Sequence, residues 1–105
     1  MDRKIKPYLN TMQPIKTEVT EELLKELASR SHFRLGKDIA KNGVVSFSQS
    51  HVLHMTARVE FRNSQTRTVD VLSTPKGIKW KCTCSSRKDL FCQHCVAVGL
   101  IICQE

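Results

Sequence analysis

Apolar residues change their period along this chain, and each change marks an element. Leu23, Leu24, Leu27 and Ala28 form a helical stripe. Thr20 precedes them as an N-cap candidate, with Glu21 and Glu22 in the first turn, where acidic residues suit the helix dipole. This predicts a helix at about 20–30, and Phe33, Leu35 and Ile39 predict a second short one through about 33–41, stopped by Asn42-Gly43. The period then falls to two. Val44, Val45 and Phe47 open a β-rich stretch, and Leu53, Met55, Ala57, Val59 and Phe61 occupy every second position. Arg67, Val69 and Val71 alternate in a further strand, and Ile78, Trp80 and Cys82 in another. The turns at Arg62-Asn63-Ser64-Gln65 and Thr74-Pro75-Lys76-Gly77 are too short for parallel crossovers, so the sheet should be an antiparallel meander. From about Cys92 to Ile102 the pattern is helical again. Val96, Leu100 and Cys103 share a face, with Ala97 and Ile101 beside it. The expected fold class is α+β: an N-terminal helix or helices, a three- or four-stranded meander, and a turn leading into a C-terminal helix.

At 105 residues the chain has room for one small domain. Residues 1–16, with Pro7 and Pro14, read as a loosely ordered basic lead-in whose Ile5, Tyr8, Leu9 and Met12 could dock on the rest. Residues 17–105 read as a single domain. It stops just after an apolar stretch with no capping signal, as expected of a domain excised from a longer protein. The longest apolar run, Cys95 to Cys103, is nine residues, about half of what a membrane span needs. The first residues lack the apolar core of a secretion signal, so the expected location is intracellular and cytoplasmic. In that reducing setting the five cysteines are thiols or ligands before they are disulfides, and their odd number points the same way.

Four of the candidate ligands crowd into thirteen positions: Cys82-Thr83-Cys84, seven residues, then Cys92-Gln93-His94. Thiolate and imidazole are the donors of a tetrahedral zinc site. A C-x-C pair at a strand end can present both sulfurs to one ion, either by alternation or by a turn. The C-x-H pair opens a helix, where the dipole favours thiolate. The polar stretch Ser85-Ser86-Arg87-Lys88-Asp89 can fold one pair onto the other. One zinc ion per chain is expected, held by Cys82, Cys84, Cys92 and His94.

This pattern, C-x-C, a gap, then C-x-H followed by Val96-Ala97, resembles the SWIM zinc finger over residues 80–97. The upstream region, from Leu35-Gly36-Lys37 through Asn42-Gly43-Val44 and the strands, is similar to the helical turn, glycine and β-meander of the modules at the N-terminus of bacterial Swi/Snf-type helicases. The resemblance implies a non-catalytic zinc module that contacts DNA or other proteins for a larger helicase-like protein. One departure is Cys95, where that family has an apolar residue. It reads either as a small buried hydrophobe or as a competitor of Cys92 or His94 for the metal.

The formal charge is +7, and the excess lies in the lead-in and around the ligands. Lys79, Lys81, Arg87 and Lys88 flank the motif and are the candidate nucleic-acid contacts. A solubilising surface would have the same composition, and a protein-docking module is the rival class. No small-molecule substrate or membrane partner is expected. Four protein ligands leave a zinc ion no open position for water, and the phosphate loop and deaminase signatures are missing, so no catalysis is expected. Cys92-x-x-Cys95 could instead serve thiol redox chemistry, but a meander is the wrong context for it. Cys103 reads as a core thiol, and Trp80 as core rather than a base-stacking surface. His51 and His54, three apart in one strand, would face opposite ways. His32 reads as a surface residue at a helix end.

Overall fold

The computed structural model describes residues 14–84 and 91–104. Its elements are α1 (Ile15–Glu18), α2 (Glu21–Leu27), α3 (Arg30–Asn42), β1 (Val44–His51), β2 (His54–Glu60), β3 (Arg67–Thr74), β4 (Gly77–Cys82) and α4 (Gln93–Gln104). The strands form one four-stranded sheet in the order β1-β2-β3-β4, every pair antiparallel, as the period-two stretches require. The α+β class is therefore as expected, with the Cys/His cluster set before the last helix.

The expected helix at about 20–30 is two elements. Thr20 caps α2 as predicted, its hydroxyl accepting from the Leu23 N–H at 3.1 Å. The chain then turns extended at Ala28. Ser29 accepts from the His32 N–H at 3.1 Å and so caps a new helix, α3, which begins three residues before the expected 33. His32 therefore lies in the first turn of α3. Asn42-Gly43 does end it, with the Gly43 N–H bound to the Ile39 carbonyl. Ile15 is fully buried and its N–H donates to the Val52 carbonyl, so packing reaches into the last residues of the stretch read as a lead-in. Ile5, Tyr8, Leu9 and Met12 lie outside the described residues.

Alternation sorts the sheet cleanly. Val45 and Phe47, then Met55, Ala57 and Val59, then Val69 and Val71, and finally Ile78, Trp80 and Cys82 share the inner face. Arg58, Asp70, Leu72, Lys79 and Lys81 occupy the outer one. A β-bulge between Phe47 and Gln49 shifts the β1 register, a feature the apolar pattern does not announce. His51 and His54 are not in one strand: they pair across the β1–β2 hairpin. His54 instead meets Asp70 on β3 at 3.3 Å.

Against the inner face lies α4, and here the expected single apolar face proves too narrow. Cys95 through Leu100 and Ile102 are all buried. The sheet covers one side of α4, and α2 and α3 cover the other. A helix apolar on every side belongs in a core. Close approach is possible because Gly36 of α3 faces Val96 of α4, and Gly99 of α4 faces Leu24 of α2.

Candidate metal centre

Each ligand is positioned by a different local device. Cys82 is the last residue of β4, paired with Val69 of β3, and its alternation with Trp80 and Ile78 aims it inward. The chain turns at Thr83 and Cys84, and the Cys84 N–H points back to Cys82 Sγ at 3.5 Å. Cys92 stands immediately before α4 and its carbonyl accepts the first helical bond, from the Val96 N–H. The positive end of the α4 dipole thus falls on its sulfur. His94 follows in the first turn, with Nδ1 3.6 Å from Cys92 Sγ.

These pieces converge. The ligand atoms of Cys82, Cys84, Cys92 and His94 all lie within 4.8 Å of one another. A tetrahedral zinc ion with bonds near 2.3 Å to sulfur and 2.0–2.1 Å to nitrogen sets sulfur–nitrogen edges of about 3.6 Å and sulfur–sulfur edges of about 3.8 Å. The observed Cys92–His94 edge matches the first value, and no other edge of the cluster exceeds 4.8 Å. Three soft sulfurs and an imidazole are a donor set that fits zinc. The cluster can therefore hold a metal ion, through the four residues that the spacing singled out.

The protonation pattern shows how tightly the thiols are coupled. Hydrogen bonding with Cys82, then with Cys95, holds the Cys92 thiol far below its ordinary value of 9.0, against the opposing effect of burial. Cys82 is pushed far up by the same bond to Cys92 and then by burial. Burial raises Cys84, with a further push from Cys92, while the nearby Arg67 pulls it slightly down. The shifts run in opposite directions, Cys92 downward and Cys82 and Cys84 upward, because the thiols share hydrogen bonds. A metal ion binds the thiolate forms, so metal binding should strengthen as pH rises and fail in acid.

The structure places Cys95 beside the cluster rather than in it. Its side chain is fully buried on α4, 3.9 Å from Cys92 Sγ, and it stands outside the four-residue cluster. Hydrogen bonding with Cys92, then burial, pushes its thiol well above the ordinary range. Cys95→Ser is expected to retain the metal while costing about 1–3 kcal/mol, because it puts a hydroxyl into an apolar core. Metal analysis together with thermal melts checks both halves, and loss of metal in Cys95→Ser with retention in Cys92→Ala would reassign the ligands. Cys103 packs at the core edge with its thiol on the Val19 carbonyl at 3.2 Å, as a core thiol should.

Two features of the site escaped the sequence reading. Phe91 meets Trp80 edge-to-face, ring centroids 4.9 Å apart, and ties the residue before Cys92 to β4. Trp80 is thereby part of the packing, and its indole N–H is buried without a partner among the described residues. The second feature is Arg67, which starts β3, reaches the Thr83 carbonyl at 3.4 Å and is the cation beside Cys84. Only the β3–β4 register brings it there. Of the basic residues expected to flank the metal, Lys79 and Lys81 are exposed on the outer face of the sheet, pointing away from the side to which Cys82 turns. Arg87 and Lys88 lie outside the described residues.

No protein family, curated protein or solved structure matches this chain. Among the described residues no helix is long and apolar enough to cross a membrane.

Proposed function

We propose that this chain is a non-catalytic zinc module of the SWIM kind, working inside the cell on behalf of a larger helicase-like protein and engaging nucleic acid. The observation that carries the reading is the convergence of Cys82, Cys84, Cys92 and His94 at the junction of β4 and α4. The order C-x-C, then C-x-H, with a meander before the first pair and a buried helix after the second, is the arrangement the SWIM resemblance implies. Four protein donors close a tetrahedral ion and leave its role structural: it would staple the end of the sheet to the start of the central helix. The nucleic-acid reading is supported by the +7 charge. Its candidate contacts are Lys79 and Lys81 with Arg87 and Lys88, which lie between the ligand pairs in sequence.

The test has two readings. Elemental analysis of the purified chain is expected to return one zinc ion, and zero or two would sink the zinc assignment. Affinity for a fluorescent duplex is expected to fall steeply with salt, with a log–log slope near −0.9 per phosphate contacted, and Arg87→Ala/Lys88→Ala is expected to shallow it by about one to two units. Affinity independent of salt, or no binding to DNA at low salt, would favour a protein-docking role.

A further inference from the structure

Over residues 17–43 bases and acids balance in number, yet the fold separates them. Glu18, Glu21, Glu22 and Glu26 belong to α1 and α2, whereas Arg30, Arg34, Lys37 and Lys41 all belong to α3. These four stand at i, i+4, i+7 and i+11, which at 3.6 residues per turn confines them to an arc of about 60° running for about 16 Å along the axis. All four are exposed. The opposite side of α3, with Gly36 and Ile39, is buried against α4. Arg30, Arg34 and Lys41 have no carboxylate partner among the described residues, and Lys37 lies over the Phe33 ring at 5.8 Å. The one acid of α3, Asp38, is occupied: it accepts from Asn42 at 2.6 Å and pairs with Arg62 at 3.5 Å. The result is a straight row of cations on an outer-layer helix.

We infer that this α3 stripe is a docking surface for the phosphate backbone of duplex DNA. The inference rests on the nucleic-acid reading above, names the partner, and adds a contact on α3, on the side of the sheet opposite to Lys79 and Lys81. A linear, rigid array of cations complements a linear polyanion. An α-helix about 10–12 Å across fits the B-form major groove, about 12 Å wide, whereas the A-form groove of duplex RNA is too narrow and deep. Single strands are bound by stacking on exposed aromatics, but among the described residues the exposed large apolar side chains are the aliphatic Leu27, Leu35, Val44, Val52 and Leu72. A membrane-surface helix would need a free apolar face, and that of α3 is spent on α4. The ligand cluster bears on this surface indirectly, since Gly36 rests on Val96 and the Gln93 carbonyl in the first turns of α4.

The experiment uses the zinc-loaded full chain and a random-sequence duplex, with anisotropy read over a range of salt. Arg34→Gln/Lys37→Gln and Arg30→Gln/Lys41→Gln are each expected to shallow the log–log slope by about two units, with zinc content and melting temperature unchanged. Arg58→Gln/Lys76→Gln, which removes the same charge elsewhere on the surface, is expected to leave the slope as it is. α3 variants that bind as the parent does would overturn the stripe while leaving nucleic-acid binding in place. A parent that binds no duplex at low salt would overturn both. A single strand, duplex RNA or an equimolar phosphatidylserine–phosphatidylcholine vesicle bound more tightly than duplex DNA would overturn the choice of partner.

Discussion

Replacing Cys92 by alanine is expected to abolish metal binding and to lower the melting temperature by about 15–30 °C. Cys92 is the hub of the cluster: it is buried, it precedes α4, and its sulfur is the partner common to Cys82, Cys95 and His94. A metal present at roughly a thousand times its dissociation constant stabilises the fold by about 4 kcal/mol, and each kcal/mol shifts the melting point of a domain this size by about 4–8 °C. Chelator should act on the parent in the same way. The damage should be directional, because the ion would join β4 to the first turn of α4. Amide signals from about residue 78 onward should broaden or move, while the β1–β3 hairpins, held by Met55, Ala57, Val59, Val69 and Val71, keep their own core. A spectrum unchanged by chelator, or a Cys92→Ala protein that keeps its metal and its melting point, would remove the structural role assigned to the cluster. The pH sign follows from the donor set: thiolates are the ligands, so protons compete with the ion and acid should release it.

Gly36→Ala should cost about 2–3 kcal/mol net, the second largest effect expected. A Cβ built at Gly36 would lie 2.4 Å from Val96 Cβ and Cγ1 and 2.9 Å from the Gln93 carbonyl oxygen. Two of those atoms, Val96 Cβ and the carbonyl oxygen, are fixed to the α4 backbone, so the helices must separate, and the better helix propensity of alanine, about 1 kcal/mol, recovers only part of the loss. The push falls on the turn that carries His94, so metal affinity should weaken as well. Gly99→Ala is the informative contrast. Its new Cβ would sit 2.5 Å from Leu24 Cδ2 and 3.0 Å from Cδ1, the ends of a side chain rather than atoms fixed to a backbone. That variant should lie within about 1 kcal/mol of the parent, the propensity gain offsetting the shift. Urea titrations of the two variants with metal loaded decide the point. Equal stability for the pair would contradict the close crossing of α3 and α4.

Where the deciding interaction is local, the sequence by itself determined the outcome. Alternation along 53–61 and 67–82 placed Val59, Val69 and Cys82 on one face, since side-chain direction in a strand has period two whatever the strand packs against. The four candidate ligands were legible for the same reason: their type and spacing define the donor set, and the pairs lie at element ends. The Ser29 cap that splits the expected helix was missed, because the apolar stripe continues through Ala28 up to it. What only the tertiary structure decided depends on neighbours distant in sequence. α4 is buried all round because sheet and helices cover opposite sides of it, which no window of that segment reveals. Arg67 reaches the cluster through strand register, and the same alternation that buries Trp80 and Cys82 turns Lys79 and Lys81 to the outer face. The spacing of Arg30, Arg34, Lys37 and Lys41 puts them on one arc once the helix is known, but only packing leaves that arc exposed, by spending the opposite side of α3 on α4 and by pairing Asp38 with Arg62.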